Sequence, residues 1–305
     1  MFFSLLSQYY KSRVKMTKFA RMLSIPKGKR VIDIGGGDGP FPRADVICEK
    51  FLGDDAERTN PLGHAGTRAL VVGDIENLPF ADKSFDFVYC SHILEHTTDP
   101  SRAIAEITRI GKAGYIEVPS EYLELAATSR AAHFWTIIRD SDGTLVFRQK
   151  IVPTPSPTVD RIFDEVLWEK DKFYTAWHWK NYYKLFNIGV LWKDHIPHRV
   201  ERASAVSESF HKGSVDDLAS VRRALESASR QIPSGARPAI KRFVTNSLTN
   251  RDVRSELLTF VACPRCKGAV TRKGAEQLVC AGCRVSYPYI QGVPVLLNEH
   301  AQPAG

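Results

Sequence analysis

The sequence predicts an α/β protein in which a doubly wound parallel sheet precedes a small C-terminal module. Three observations lead to this prediction. Short apolar runs alternate with helical segments from about residue 30 to residue 120, a pattern typical of parallel sheets. The first run turns abruptly into a glycine-rich loop, and four cysteines in two C-x-x-C pairs lie near the end of the chain. The 305 residues suffice for one α/β domain and a small second domain.

The overall composition sets limits on the class of protein. Hydrophobic residues make up 43% of the chain and charged residues 25%, which are ordinary values for a globular protein. The apolar run at the N-terminus is short and has no basic residue before it, so we expect no signal peptide. No stretch reaches the roughly 18 apolar residues of a spanning helix, so we expect a cytoplasmic protein without membrane insertion.

The first predicted strand, at residues 31–34, leads into a loop that is rich in glycine. Glycine permits positive φ angles and lets the backbone approach a ligand closely. In the dinucleotide fingerprint G-x-G-x-x-G the third glycine would fall on Pro40, so this loop follows a different spacing. The residues of the candidate ligand loop are Asp33, Gly35, Gly36, Gly37 and Gly39.

The second predicted strand, at residues 44–49, ends in Glu49. Nucleotide sites often place a carboxylate there to accept hydrogen bonds from ribose hydroxyls, with Asp45 and Asp54 as alternatives in this chain. Glu49 comes only ten residues after Gly39, so the helix between these strands must be short or missing.

The next strands are predicted at residues 70–74, at about 86–91 and at 115–119, with a helix at about 101–110 before the last of them. Asp74 is the last residue of the third strand, and Ser91 and His92 stand at the end of the fourth. Ligands of open parallel sheets bind outside the carboxyl ends of the strands, so we expect these side chains at the ligand crevice.

The order of these motifs resembles the type 11 branch of the class I S-adenosylmethionine-dependent methyltransferases, over about residues 30–120. The motifs are the loop Asp33-x-Gly-x-Gly-x-Gly39, then Gly73-Asp74 with Leu78-Pro-Phe80, Phe85-Asp86, Leu94-Glu-His96 and Asp99-Pro100. The resemblance implies a Rossmann-like methyltransferase sheet that binds S-adenosylmethionine through the glycine loop. It further implies that Asp74 contacts the adenine amino group and that Ile75 packs against the base. Ser91 is assigned to the cofactor site because of its place at the end of the fourth strand.

Methyl transfer from a sulfonium needs alignment of the acceptor and, for a hydroxyl or protonated amine, a base. His92 is the first candidate base because its intrinsic pKa is near neutral. Glu95, His96 and Glu117 are alternatives, although Glu95 and His96 could simply organise the start of a helix.

The acceptor is not identified by the sequence. No Asn-Pro-Pro-Tyr motif follows the fourth strand, so the resemblance argues against enzymes that methylate the amino groups of DNA adenine or protein glutamine. RNA or a component of the translation apparatus, and a saccharide or small metabolite, remain open as acceptors. The alternative is a non-catalytic methyltransferase-like scaffold that binds a partner.

Residues 1–203 are predicted to form the methyltransferase domain, with an insert at about 120–186. The insert contains a predicted β-hairpin around residues 140–143 and an aromatic-rich segment at 173–186, which is either a lid or ordinary packing. Strands at 188–193 and 199–203 are expected to supply the antiparallel pair that closes the sheet. Residues 204–255 are predicted to be a helical connector.

The N-terminal segment has apolar residues at helical spacing over residues 2–23, with basic residues between them, and the whole chain has a net charge of +8. One interpretation is an amphipathic helix with a solvated basic face. The other is a docking surface for RNA or another polyanion.

The terminal module, at residues 256–300, carries two C-x-x-C pairs separated by thirteen residues. Four thiolates from two tight turns can enclose Zn²⁺ as a closed, structural site. The predicted ligands are Cys263, Cys266, Cys280 and Cys283. With the tail at residues 285–297, this module resembles the Trm112-like zinc ribbons, whose eukaryotic members act as separate activating subunits of methyltransferases.

Overall fold

The computed structural model describes residues 20, 22–37, 39–52, 68–126, 132–151, 181–206, 215–230, 253 and 255–304. Most of the basic N-terminal segment, residues 173–180 of the aromatic-rich segment and much of the predicted connector lie outside the described residues. The chain divides into two compact units. The first contains Met1–Tyr89, Arg109–Lys112 and Ser214–Gly305, and the second contains Cys90–Thr108 and Ala113–Gly213.

The first unit contains three neighbouring parallel strands, β1 (Val31–Ile34), β2 (Val46–Glu49) and β3 (Ala69–Val72). Nearly all of their residues are buried, as expected for parallel strands that are covered on both faces. The described residues between β1 and β2 (35–37 and 39–45) form no helix, in agreement with the short spacing.

The central sheet has six strands in the order β3-β2-β1-β4-β5-β8. The added strands are β4 (Phe87–Ser91), β5 (Ala113–Pro119) and β8 (Asn187–Lys193), and helix α1 (Pro100–Ile110) lies between β4 and β5 in the chain. The strand β8 runs antiparallel to β5 over their whole lengths. The predicted α/β class with a parallel-rich sheet is therefore confirmed.

The second unit also holds the predicted hairpin, formed by β6 (Trp135–Arg139) and β7 (Leu145–Gln149). Strand β9 (His198–Glu201) does not close the central sheet, so the prediction that it would do so with β8 is wrong. A turn after β8, where Asp194 has a φ of 61°, leads the chain away, and β9 pairs in parallel with β7. This unit also contains two short helices, α2 (Glu121–Ala126) and α3 (Tyr183–Phe186), and the 3₁₀ helix Leu94–His96.

The terminal module belongs to the first unit. Its strands are β10 (Val270–Lys273), β11 (Gln277–Cys280), β12 (Val285–Ile290) and β13 (Val293–Pro294), and β14 (Gln302–Pro303) extends the module beyond residue 300. They form one antiparallel sheet in which β14 pairs with β12.

The terminal module packs directly on β3 and on residues 73–81, which follow β3. Leu296 donates its backbone N–H to the carbonyl oxygen of Val72 at 2.8 Å. Towards the other end of the segment, Ala262 donates its backbone N–H to the carbonyl oxygen of Pro79 at 2.9 Å. The terminal module thus holds the segment that carries Asp74 near both of its ends.

Helix α4 (Leu218–Arg230) lies in the predicted connector but contributes to the core of the first unit. Its residues Val221 and Leu225 are buried in a cluster with side chains from β3 and from the terminal module. Burial of such apolar side chains is the main stabilising contribution of a core. The other buried members of the cluster are Leu52, Val72, Ile290, Val295 and Leu297.

Candidate active site

The glycine loop is supported from below by the carboxylate of Asp33. This side chain is buried, and its Oδ2 atom accepts a hydrogen bond from the backbone N–H of Phe41 at 2.6 Å. A Cβ atom at Gly36 would lie 2.7 Å from the same Oδ2 atom and 3.3 Å from the Cα atom of Pro40, so a larger residue would have to displace the buried carboxylate. Glycine at this position leaves the space that the Asp33 carboxylate occupies.

The outer side of the glycine loop is open. Gly37 has a φ of +52°, and a Cβ atom there or at Gly39 would meet no atom within 4 Å. Bare backbone at the end of a strand can approach a ligand without side chains in the way. This geometry fits the expectation that the loop contacts a bound cofactor.

Burial controls the protonation of Asp33. Desolvation raises the pKa of this carboxyl to about 7, although the Phe41 N–H and the positive charge of Arg68 act in the opposite direction. A cationic ligand beside the loop would favour the ionised form.

Glu49 ends β2 and reaches the glycine loop, where its Oε1 atom accepts a hydrogen bond from the Gly37 N–H at 2.6 Å. This contact places a carboxylate beside the open part of the loop, as the ribose-binding prediction requires. The alternative Asp45 has a different task, because it accepts a hydrogen bond from Val31 at 2.8 Å and pairs with Arg43. The other alternative, Asp54, lies outside the described residues.

Asp74 follows β3 and caps the short 3₁₀ helix Ile75–Asn77. Its Oδ1 atom accepts a hydrogen bond from the Glu76 N–H at 2.9 Å, and its Oδ2 atom lies 2.7 Å from Lys50 Nζ. The sequence did not indicate this cap or this ion pair. Ile75 is buried and directly follows Asp74. In the family that the sequence resembles, the residue at this position packs against the adenine base.

The first unit therefore brings together the predicted cofactor-binding groups other than Ser91. The glycine loop, Glu49 and Asp74 follow the carboxyl ends of β1, β2 and β3, which are adjacent and parallel. Backbone N–H groups and carboxylates in this arrangement can hydrogen-bond to a ligand that has hydroxyl and amino groups.

The candidate acid–base groups lie in the second unit, around His92. Its Nδ1 atom lies 3.3 Å from Glu95 Oε1, and its Nε2 atom lies 3.7 Å from Glu117 Oε1. Its φ of 57° is in the left-handed region, which non-glycine residues rarely adopt outside turns and functional sites. Ser91 Oγ donates a hydrogen bond to Glu117 Oε1 at 3.3 Å, so this side chain belongs to the same cluster.

Glu117 is held by two tyrosines that sequence reasoning did not select. Tyr115 donates a hydrogen bond to its Oε2 atom at 2.6 Å, and Tyr183 donates one to its Oε1 atom at 2.5 Å. Burial raises the pKa of Glu117, but the contacts with His92 and both tyrosines outweigh burial and lower it. Tyr115 could have been found because residues two apart in a strand share one face.

Two carboxylates control the charge of His92. Burial lowers the pKa of its imidazole, but Glu117 and Glu95 outweigh this effect and raise the pKa to about 10. In this arrangement the ring carries a proton at neutral pH and can act as a donor or a fixed positive charge. A role as a base needs a ligand that separates the ring from one of these carboxylates.

The four predicted cysteine ligands come together in the terminal module. Their sulfur atoms all lie within 4.8 Å of one another, and Cys263 and Cys280 are buried. Each C-x-x-C turn is followed by a residue with positive φ, which is Lys267 after the first pair and Arg284 after the second. The repeated turn directs four thiolates to one point, and this donor set fits Zn²⁺.

Two family models match the chain. Residues 33–116 match the model for a methyltransferase domain, and residues 254–292 match the model for a Trm112p-like protein. A UPF0434 protein of Shewanella amazonensis is 51% identical over 49 residues, covering 16% of this chain and 80% of that protein. The ubiquinone/menaquinone biosynthesis C-methyltransferase UbiE of Pasteurella multocida is 32% identical over 103 residues, covering 30% of this chain and 38% of that protein.

Among solved structures, a complex between the Haloferax volcanii Trm112 methyltransferase activator and a methyltransferase is similar to this chain, with a TM-score of 0.34 and 18% identity. The match covers 63% of this chain and 93% of that one. No helix within the described residues is long and apolar enough to cross a membrane. The two family models therefore show that the chain joins a methyltransferase domain, over residues 33–116, to a Trm112p-like domain, over residues 254–292.

Proposed function

We propose that this protein transfers a methyl group from S-adenosylmethionine to a nucleophilic atom of RNA or of a component of the translation apparatus. The observation that carries the methyl-transfer part is the placement of the glycine loop, Glu49 and Asp74 after three adjacent parallel strands. The choice of acceptor class rests on the net charge of +8, which permits an anionic partner without demanding one.

Each group of the cofactor site has a defined task in this proposal. The loop backbone around Gly37 contacts the methionine part of the cofactor, Glu49 accepts hydrogen bonds from the ribose, and Asp74 accepts one from the adenine amino group. Bound S-adenosylmethionine supplies an electrophilic methyl group, so the protein's main contribution is alignment. Ile75 provides an apolar wall beside the base.

For the acid–base step we propose the cluster of His92, Glu95 and Glu117. The surrounding tyrosines stabilise the ionised form of Glu117, and the protonated His92 lies 3.7 Å from it. In this state Glu117 is the group that can accept a proton leaving the acceptor, and His92 can do so only after a ligand has separated its ring from one of the carboxylates.

We further propose a structural Zn²⁺ bound to the four cysteines of the terminal module. The module's contacts with Val72 and Pro79 hold the segment that carries Asp74, so the ion would stabilise the cofactor site without touching the cofactor. The complete thiolate set leaves no position for a water molecule, which fits a structural ion.

The proposed function is tested by incubating the protein with methyl-labelled S-adenosylmethionine and fractionated lysate. We expect the label in RNA or in ribosome-associated protein. Label in polysaccharide or in small metabolites would overturn the proposed acceptor and keep the reaction. Tight cofactor binding without labelling of any fraction would favour the scaffold, which binds a partner through the terminal module without catalysis.

A further inference from the structure

The second unit holds a buried cluster of metal-ligating side chains formed by Glu95, His96 and His133. Their ligand atoms all lie within 4.8 Å of one another. The side chains of Glu95 and His133 are almost fully buried, at 0% and 2% exposure. Backbone contacts hold the pieces in place, because Phe134 donates its N–H to the Glu95 carbonyl oxygen at 2.8 Å.

Several polar atoms of this cluster have unused bonding capacity. Among the described residues, no hydrogen bond reaches Glu95 Oε2 or His133 Nε2, and Glu95 Oε1 has only its 3.3 Å contact with His92 Nδ1; all three atoms are buried. Buried polar atoms normally have partners, because an unpaired one forfeits its interaction with water. The nearest charged groups to Glu95 are His92 Nδ1 at 3.3 Å and His96 Nε2 at 4.0 Å.

The far side of the His133 ring is fixed by a second carboxylate. Its Nδ1 atom lies 2.6 Å from Glu124 Oε1, and Lys150 pairs with the other oxygen of Glu124. A carboxylate at Nδ1 favours a proton on that nitrogen, which leaves the lone pair on Nε2. Metal-bound histidines commonly have this arrangement, in which an outer carboxylate orients the ring.

We propose that Glu95, His96 and His133 bind a divalent first-row transition-metal ion such as Zn²⁺. Two imidazoles and one carboxylate are a common ligand set for Zn²⁺ and leave one further coordination position. With bonds of about 2.0–2.1 Å, tetrahedral ligand atoms lie roughly 3.4 Å apart, so the cluster needs small side-chain rotations to close on the ion. The site is separate from the cysteine quartet, and with Glu95 as a metal ligand the groups left for the acid–base step of the proposed function are His92 and Glu117.

The test is the metal content of the full chain, measured by mass spectrometry after Zn²⁺ loading and dialysis. We expect two zinc ions per chain in the parent, one in Cys263→Ser, one in His133→Gln and none in the double variant. The control His195→Gln makes the same change at an exposed histidine of the same unit and should retain two. One ion in the parent, lost in Cys263→Ser and retained in His133→Gln, would overturn the proposal.

A second measurement needs no ligand variant and so does not depend on folding after substitution. Titration of the metal-free parent with Co²⁺ should give thiolate charge-transfer bands for one equivalent, followed by weaker bands of nitrogen and oxygen ligation for the second. Only thiolate bands, with no change after one equivalent, would contradict the site. Glu124→Gln should keep the second equivalent but weaken its affinity by about 10–100-fold, because the outer carboxylate orients His133.

Discussion

At Gly37 the glycine loop combines a left-handed backbone with open space where a side chain would begin. We predict that Gly37→Arg abolishes the binding of S-adenosylmethionine while the protein stays folded. The arginine would occupy the space that the proposed ligand needs, whereas the left-handed conformation costs a non-glycine residue only about 1–2 kcal/mol. Isothermal titration calorimetry measures the affinity.

The matched control for that variant is Gly28→Arg. Gly28 also has a positive φ and open surroundings, but it precedes β1, whereas the loop follows that strand. The control should show a similar loss of stability and an unchanged affinity for the cofactor. If Gly37→Arg and Gly28→Arg bound S-adenosylmethionine with the same affinity, the cofactor would not bind at the glycine loop.

Asp33 provides a pH-dependent prediction. Because burial raises its pKa from 3.8 to about 7, the folded protein binds more protons at this site than the unfolded chain between these values. The contribution of Asp33 to the free energy of unfolding therefore falls as the pH rises from about 4 to about 7. Above that range the folded protein bears the full cost of the buried, ionised carboxylate. Asp33→Asn removes the titrating group and keeps an acceptor for the Phe41 N–H.

We therefore expect Asp33→Asn to gain stability relative to the parent as the pH rises from about 5 to about 8. Chemical unfolding at both pH values measures the difference. Asp82→Asn, at an exposed position, serves as the control and should follow the parent. If the difference in free energy of unfolding between Asp33→Asn and the parent did not change with pH, the raised pKa of Asp33 would be contradicted.

At the scale of elements, the segment at residues 73–81 is the connection between the terminal module and the cofactor site. Lys267, at the end of the first cysteine turn, donates from Nζ to Asn77 Oδ1 at 2.7 Å and to the Leu78 carbonyl oxygen at 3.2 Å. Asn77 closes the 3₁₀ helix that Asp74 caps. A change at Lys267 should therefore reach the proposed adenine site.

We predict that Lys267→Met weakens cofactor binding by about tenfold, since hydrogen bonds to a charged group contribute roughly 1.5–3 kcal/mol. Calorimetry gives the affinity, and the zinc content should remain that of the parent. Lys27→Met removes an exposed lysine of the same unit and is the control. Unchanged affinity in Lys267→Met would mean that the module supports the fold without influencing the site.

At the scale of the whole chain, local patterns allowed most of the architecture to be predicted. The strand β1 with its glycine loop, the hairpin around residues 140–143 and both cysteine pairs are each specified by a few neighbouring residues. The sequence could not show the pairing of β9 with β7, because this depends on strands more than fifty residues apart. The same holds for the contact of Tyr183 with Glu117 and for the proximity of His133 to Glu95, because each joins residues that are far apart in the sequence.

The role of α4 was also beyond sequence reasoning. Val221 and Leu225 have the spacing of any amphipathic helix, and only the fold shows that they share a core with β3 and the terminal module. The domain boundaries that the sequence predicts at residues 203 and 255, on either side of the connector, remain predictions. The shared core shows that residues on both sides of the predicted connector contribute to one compact unit.

This shared core leads to a prediction about hydrogen exchange across the first unit. If the cofactor binds at the glycine loop, Glu49 and Asp74, it should also slow exchange at amides of the terminal module that bond to β3 and to the segment after it. The amides to follow are those of Leu296 and Ala262, whose acceptors are Val72 and Pro79.

Exchange measured by mass spectrometry with and without S-adenosylmethionine tests this coupling. A cofactor at about 100 times its Kd stabilises the binding-competent state by about 2.7 kcal/mol, so amides that exchange through opening of this unit should slow by about 100-fold. The amide of Ala304, which bonds to Arg284 within the terminal module, reports on the module alone. Protection limited to the glycine loop, with Leu296 and Ala262 unchanged, would show that the terminal module opens independently of the site it packs against.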